Sequence, residues 1–197
     1  MILSTLAAPA RFELIARKSR FLAQAIALDD AGRASAFLDS VREAEATHNC
    51  WAYRIGAAYR SSDDGEPAGT AGRPILAAID GQHCDRVMVV VARWFGGIKL
   101  GAGGLVRAYG GAASECLRNA AKTPLVELAR LAIACGFEHA GTVHQLIAQF
   151  GAVKHAETFT GDGPHFDIQL PRGRMQALQN ALRDATRGQV RVLEATE

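Results

Sequence analysis

The sequence predicts an α+β protein that is divided into two domains. Its 197 residues are 49% hydrophobic and 21% charged, which supplies enough apolar material for a core and too little charge for disorder. Short strand-like and helix-like segments alternate along the chain. A polar break near residues 122–124 separates two groups of such segments, so we predict domains at 1–122 and 123–197.

The predicted first domain combines strands, helices and two loops. Residues 11–28 contain strand-forming residues and predict either two strands or one long bent strand. Apolar residues at helical spacing then predict an amphipathic helix over 30–46, with Asp29 or Asp30 as its N-cap. The later segments are predicted as a strand at 48–59, a polar loop at 61–73, a short helix from Pro74, an apolar central strand at 87–92, a glycine loop at 95–104 and a helix at 105–121.

The predicted second domain has the element order βαββαβ. Its strands are placed at 125–135, 153–159, 165–170 and 189–194, and its helices at 139–150 and 172–186. A turn at Gly161-Asp162-Gly163-Pro164 joins the two middle strands. This order is that of the ferredoxin-like split motif, a fold that hosts many functions.

Bulk properties narrow the class of protein. The longest apolar runs are far shorter than the roughly 20 residues that cross a bilayer, and the N-terminus lacks the basic start of a signal peptide. The four cysteines form no CxxC pair, which predicts reduced thiols in a cytoplasmic protein. A net charge of +2 identifies no nucleic-acid partner, so any basic surface must be local.

The glycine-rich part of the first domain predicts an anion site. The segment from Val87 to Ser114 contains no Asp or Glu, but it contains Arg93, Lys99 and Arg107. The glycine loop, with Gly101, runs into a helix start near Gly103 and Gly104, where free N–H groups and the helix dipole attract phosphate. The spacing matches neither a Walker A loop nor a Rossmann fingerprint. Three cations on a solvated face, and glycines that serve only tight turns, are the alternative interpretation.

Two polar groups could carry other chemistry. Asp63, Asp64 and Glu66 could hold a divalent cation, but pairing with nearby arginines is the commoner outcome, and we predict no metal or other cofactor. His48 and Cys50 lie two apart on a predicted strand and face the same way, as a nucleophile and its base would. Packing is the commoner reason for such a pair, and we predict no catalytic residue.

Three blocks of the first domain resemble the signature of the YigZ/IMPACT family: HNCWAYRIG (48–56), SDDGEPAGTAGRPIL (62–76) and RWFGGIKLGAGGLVRAYG (93–110). The sequence KSRF (18–21) resembles the opening block of that family. Two departures are Ala68, where the family usually has Ser, and Trp94, where it usually has Tyr. Ala68 argues against an essential hydroxyl nucleophile at that position.

The resemblance implies a fold and a set of marked positions. The first domain should adopt the ribosomal protein S5 domain 2-like fold, and the second should look like the last domain of elongation factor G. The marked positions are His48, Asn49, Arg54, Asp63, Asp64, Glu66, Arg73, Arg93, Lys99 and Arg107. Eukaryotic members regulate translation through an additional N-terminal domain, so that role should not transfer whole.

Three functions remain open from the sequence. The first is an RNA- or ribosome-binding regulator of translation, supported by the acid-free basic segment, the aromatic residues near it and the resemblance. The second is an enzyme that acts on a phosphorylated or nucleotide-like small molecule, which requires a deep pocket within 48–107. The third is a protein–protein adaptor. The resemblance places the binding protein first and makes an enzyme the less favoured class.

Overall fold

The computed structural model describes residues 3–194, which separate into two compact units on either side of the Leu125–Val126 bond. The strands of the first unit are β1 (Ser4–Leu6), β2 (Ala10–Ala16), β3 (Ser19–Ala27), β4 (His48–Ile55), β5 (Ala58–Ser62), β6 (Val87–Trp94) and β7 (Lys122–Pro124). Its helices are α1 (Ala34–Val41), preceded by a 3-10 turn at Ala31–Arg33, α2 (Gly72–Gly81) and α3 (Ala102–Asn119).

An antiparallel five-stranded sheet in the order β2-β3-β6-β4-β5 organises the first unit. β6 is its central strand and is buried along most of its length, as its continuous apolar run predicts. Alternate β6 residues enter two cores: Val89 packs with α2 and α3 on one face, and Val90 packs with α1 on the other. β1 and β7 form a separate antiparallel pair.

Several predicted boundaries move, each for a local reason. The predicted 48–59 strand is a hairpin of β4 and β5, because Gly56 adopts φ +58° at the turn. The predicted helix over 30–46 ends at Val41, since the Asn49 amide captures both backbone groups of Glu43. α2 begins at Gly72 rather than Pro74, because Asp63 accepts hydrogen bonds from the N–H groups at its start.

The second unit contains β8 (Leu128–Ala134), α4 (Ala140–Gln149), β9 (Val153–Thr160), β10 (Gly163–Pro171), α5 (Arg172–Ala185) and β11 (Arg191–Glu194). These elements follow one another in the predicted βαββαβ order. They form an antiparallel sheet in the order β11-β8-β10-β9. Leu131, Ile133, Phe166 and Ile168 face the helices, where Val143, Leu178 and Leu182 complete the core.

Within residues 3–194, no helix is long and apolar enough to cross a membrane. All four cysteines are buried free thiols, and no disulfide joins them. Burial raises the pKa of each thiol, so none is poised as a thiolate nucleophile at neutral pH.

Candidate functional site

One end of the five-stranded sheet brings together parts of the three blocks that resemble the family signature: His48, Glu66 with Pro67, and residues 93–105. His48 at the start of β4 pairs across the ladder with Arg93 near the end of β6. The glycine loop leaves β6 at Phe95 and enters α3 at Ala102. A cleft of about 330 Å³, here called the α3 cleft, opens at this place. Its lining residues are Thr47, His48, Glu66, Pro67, Arg93, Phe95, Lys99, Leu100, Gly101, Ala102 and Leu105.

A buried ion pair forms the floor of the α3 cleft. The Glu66 and Arg93 side chains are only 4% and 7% exposed, and Arg93 Nη1 donates to Glu66 Oε1 over 2.6 Å. The Tyr109 hydroxyl of α3 donates to the same oxygen over 2.7 Å. Burial, followed by the effects of Cys50 and Glu66, raises the pKa of Tyr109, so this hydroxyl remains a donor. The carboxylate is therefore occupied by structural partners, as the predicted pairing with an arginine implies.

Arg93 retains unused hydrogen-bonding capacity. Its Nη2 lies 3.5 Å from Ser19 Oγ, and its guanidinium lies 5.5 Å from the ring centroid of Phe95. Within residues 3–194, the buried Nε of Arg93 has no hydrogen-bond partner. A buried donor without a partner is energetically costly, and such a group is often explained by a ligand or water.

His48 borders the cleft in a fixed orientation. Its Nδ1 lies 2.7 Å from the Asp64 carbonyl oxygen, which can only accept, so Nδ1 carries the proton. Nε2 then points toward Glu66, 3.9 Å from Oε2, and the side chain is 20% exposed. The Nε2 atom of His48 is therefore a partly accessible atom that could exchange a proton with a bound ligand.

Asp63 and Asp64 order the polar loop by accepting hydrogen bonds from backbone N–H groups. The Asp63 carboxylate accepts hydrogen bonds from the N–H groups of Gly69, Ala71 and Gly72 at 2.8–2.9 Å. Burial tends to raise the pKa of Asp63, but these three bonds and the charge of Arg73 outweigh it and lower the pKa. Asp64 Oδ2 accepts from the Asn49 N–H. No group of three or more metal-ligating side chains occurs within the described part of the chain.

Cys50 lies behind His48 and is unsuited to nucleophilic attack. Its Sγ donates to the Asp63 carbonyl oxygen over 3.0 Å, and the residue is fully buried. Burial raises the pKa of the Cys50 thiol to about 12; the Tyr109 hydrogen bond lowers this pKa, and the carboxylates of Glu66, Asp64 and Asp63 raise it. The packing interpretation of the His48–Cys50 pair is the one that this geometry supports.

Two positions of the 95–104 loop require glycine, each for a different physical reason. A Cβ at Gly96 would lie 2.0 Å from the Lys18 carbonyl oxygen, so a side chain there would displace the β2–β3 turn. The Gly96 N–H also donates to Ser19 Oγ, which ties the loop to the KSRF block. Gly101, the N-cap of α3, has φ +72° and ψ 166°, a conformation that is essentially restricted to glycine. It faces open space and lines the cleft.

A second concavity lies on the other side of the first α3 turn and is here called the Arg107 groove. It measures about 260 Å³ and is lined by Leu14, Ala16, Arg17, Leu100, Gly104, Arg107 and Ala108. Leu100 lines both concavities, so they are neighbours. Arg17 and Lys18 form the two-residue β2–β3 turn with φ values of 44° and 66°, a conformation that glycine or asparagine usually adopts. Gly103 belongs to the same helical turn, and a Cβ there would lie 3.7 Å from Arg107 Nη1.

Two predicted binding residues lie apart from the cleft lining. Arg54 sits at the opposite end of β4 from His48, about 20 Å away at the usual rise per strand residue, and its guanidinium donates to both oxygens of Asp80. Arg73 is exposed on the first turn of α2, where its charge acts on Asp63. Asn49 is buried and used for loop closure.

Sequence reasoning missed the roles of several residues that line the two concavities or support Arg93 and Glu66. Tyr109 and Ser19 complete the Arg93 environment, and Arg17 contributes a groove cation. The KSRF block was a usable signal for Ser19, but its meeting with the glycine loop depends on the β3–β6 pairing.

Comparison with known proteins identifies the family to which these two domains belong. The Impact N-terminal domain family matches residues 17–117, and a domain of unknown function, DUF1949, matches residues 133–189. A Thermus thermophilus protein described as an IMPACT family member in the pol 5′ region is 48% identical over 177 residues, which is 89% of this chain and 98% of that protein. The chain belongs to the IMPACT family. The Escherichia coli family member YigZ is 36% identical over 194 residues, with 92% of each chain covered.

Solved structures and eukaryotic relatives extend the family comparison. A crystal structure of a hypothetical protein is 32% identical, with a TM-score of 0.65, and the match covers 100% of this chain and 98% of the other chain. A crystal structure of a Thermus thermophilus protein is 11% identical, with a TM-score of 0.56, and the match covers 100% of this chain and 29% of the other chain. At this identity the match shows only a similar fold. The rat Protein IMPACT is 40% identical over 95 residues, which is 29% of that protein.

Proposed function

We propose that this IMPACT family member is a cytoplasmic RNA- or ribosome-associated protein that regulates translation. In this proposal, the α3 cleft and the Arg107 groove together receive phosphates of the RNA. Arg93 and Lys99 act from the cleft, and Arg17 and Arg107 act from the groove.

The observation that carries the proposal is the charge of these adjoining concavities. Among their described lining residues, four are Arg or Lys and the one acid is Glu66. Glu66 is committed to Arg93 and Tyr109, and the first α3 turn adds free N–H groups between the concavities. Phosphate contacts from Lys, Arg and helix N-termini provide most sequence-independent affinity for nucleic acids.

The proposal includes the finer fold assignments. We infer the ribosomal protein S5 domain 2-like fold for the first domain and the ferredoxin-like fold for the second. The second assignment is supported by the βαββαβ order and by the β11-β8-β10-β9 arrangement, with the first and third strands of the unit in the middle. Likeness to the last domain of elongation factor G, which the family resemblance implies, fits action at the ribosome.

An enzyme is the second candidate, because a cleft of nucleotide size does lie within the 48–107 region. The groups around it are less favourable to catalysis. Asp63 is bound by three backbone N–H groups, Glu66 by Arg93 and Tyr109, and the Cys50 thiol is held protonated. His48 keeps a partly accessible ring nitrogen, but with these carboxylates and the thiol committed, the described arrangement is better suited to binding.

The test is binding of the purified chain to ribosomal subunits and to mixed RNA at two salt concentrations. The variant Lys99→Ala with Arg107→Ala removes one exposed cation from each concavity. The matched control, Arg33→Ala with Arg42→Ala, removes two exposed cations near α1, on the other face of the sheet. We expect the first variant to lose most of its affinity and the control to lose little. Absence of RNA binding by the wild type at low salt would contradict the proposal.

A further inference from the structure

Arg93 indicates which ligand the α3 cleft is built to receive. The Arg93 side chain lines the cleft although 93% of it is removed from solvent, as its 7% exposure shows. Its Nη1 is used by Glu66, but within residues 3–194 its Nε is a buried donor with no partner. A guanidinium is a strong donor to phosphate and carboxylate oxygens, because both can accept two parallel N–H bonds.

The surrounding groups add positive potential at the same place. Gly101 and Ala102 line the cleft at the start of α3, an 18-residue helix whose first N–H groups lack intrahelical partners. Lys99 lines the cleft from the glycine loop and is exposed. Gly101 has a positive φ that favours glycine, and no other atom lies within 4 Å of the position that a Cβ would take, so an anion could approach the backbone closely.

The remaining walls are apolar and aromatic. Pro67, Leu100 and Leu105 line the cleft, and the Phe95 ring is 48% exposed beside the Arg93 guanidinium. Exposed aromatic rings next to cations are the usual platforms on which nucleobases stack. The volume of about 330 Å³ lies at the lower end of the range for small-molecule sites. Such a space suits one nucleotide better than a continuous strand.

We propose that the α3 cleft binds the terminal phosphate of a nucleotide, with Arg93 Nε, Lys99 and the α3 N-terminus as phosphate ligands and Phe95 as the base platform. A terminal phosphate is favoured over an internal one because it is narrow, carries more charge and can reach a buried guanidinium without a chain on both sides. A free mononucleotide and the end of an RNA both supply this group. The inference rests on the proposed function, since both use the same surface, and it adds the group that is recognised.

Two measurements separate these sources. Calorimetry compares the four nucleoside 5′-monophosphates with the corresponding nucleosides. Fluorescence anisotropy compares one oligoribonucleotide with and without a 5′-phosphate. Since a hydrogen bond to a charged group contributes about 1.5–3 kcal/mol, we expect the phosphate to tighten binding about tenfold or more in at least one pair.

Variants assign the effect to the cleft. Lys99→Ala should remove about tenfold or more of the preference for phosphate, and Arg93→Lys, which keeps the charge facing Glu66 but lacks the Nε donor, should do the same. Arg33→Ala, at an exposed position near α1, is the control and should leave mononucleotide affinity unchanged. Thermal unfolding of each variant establishes that it is folded, and Lys99→Ala, at an exposed position, keeps the test valid if Arg93→Lys unfolds.

Each outcome decides a separate question. A preference for phosphate in both pairs supports the inference with either source, and a preference in the oligonucleotide pair alone identifies an RNA end. Equal binding with and without phosphate in both pairs overturns the inference, while RNA affinity that still depends on Arg107 leaves the proposed function intact. Mononucleotide binding without any RNA or ribosome binding contradicts the proposed function and preserves the inference.

Discussion

The two ends of the five-stranded sheet each present an arginine from a strand, and the two arginines differ in what they leave unused. Arg54, toward the end of β4, donates to both Asp80 oxygens and to the Gly56 carbonyl oxygen. Arg93, at the other end of the sheet, shares a buried carboxylate with Tyr109, and its Nε has no partner within the described residues. The comparison teaches that spare hydrogen-bonding capacity, more than charge, distinguishes a candidate binding residue from a structural one.

The largest expected effect on stability comes from breaking the buried ion pair at the cleft end of the sheet, compared with breaking the ion pair at the opposite end. Glu66→Ala leaves the Arg93 charge buried without its carboxylate, and we expect a loss of about 3–5 kcal/mol in the free energy of unfolding. Asp80→Ala removes the partner of Arg54 at a site where the two side chains are 46% and 26% exposed, and we expect a loss of at most about 1 kcal/mol. Urea unfolding measures both values. Equal losses at the two ends would contradict the proposed difference.

The next effect concerns the packing that shapes the cleft end. Gly96→Ala places a Cβ against the Lys18 carbonyl, so the loop or the β2–β3 turn must move, and we expect a loss of about 1–3 kcal/mol. Gly81→Ala, at the end of α2, meets no atom within 4 Å and should be neutral or stabilising by up to about 1 kcal/mol. Thermal unfolding of the two variants compares a glycine required by close approach with one that is not. A stable Gly96→Ala protein would refute this account of the loop.

A smaller effect with a defined pH dependence is expected at Asp63. Its pKa is lowered in the folded protein, so its charged form contributes stability that is present above the unfolded-state pKa and is lost as pH falls through the folded-state pKa. Asp63→Asn should therefore cost about 1 kcal/mol near neutral pH, and the difference from wild type should shrink as the pH falls below about 4. Asp39→Asn, at an exposed position on α1, serves as the control. A loss that stays constant down to pH 2 would argue against a charge contribution from Asp63.

The sequence predicted the features of this site that depend on local contacts and missed those that depend on contacts between residues far apart in the chain. Local patterns predicted β6, the helices that flank it and the order of elements in the second unit, because periodicity and turn residues are local signals. The β4–β5 hairpin was missed because the segment around Gly56 is rich in strand-forming residues on both sides. The pairing of Glu66 with Arg93 joins residues 27 positions apart, and the pairing of Arg54 with Asp80 joins residues 26 apart. Composition cannot distinguish Arg54 from Arg93, and only the fold shows that their hydrogen-bond partners differ.

The smallest expected effect is a change in salt dependence. Each phosphate contact contributes about 0.7–0.9 to the slope of log affinity against log salt concentration, so a surface with three to five contacts gives a shallow slope. Arg107→Ala should reduce the slope by about one contact, and Arg54→Ala should leave it unchanged because Arg54 is committed to Asp80. RNA binding measured between about 50 and 200 mM salt, the range over which such slopes are usually compared, provides the test. An equal reduction by both variants would place the RNA at both ends of the sheet.

The central claim is that Arg93 keeps an Nε donor available for a phosphate, and NMR of the arginine Nε–H groups tests it most directly. Titration with a nucleoside monophosphate should shift the Arg93 Nε–H signal in a saturable manner and leave the Arg54 Nε–H signal in place, since that donor is bonded to Asp80. Lys99→Ala should weaken the response without abolishing the signal. An Arg93 signal that does not respond to nucleotide or to RNA, or that moves no more than the Arg54 signal, would contradict the account.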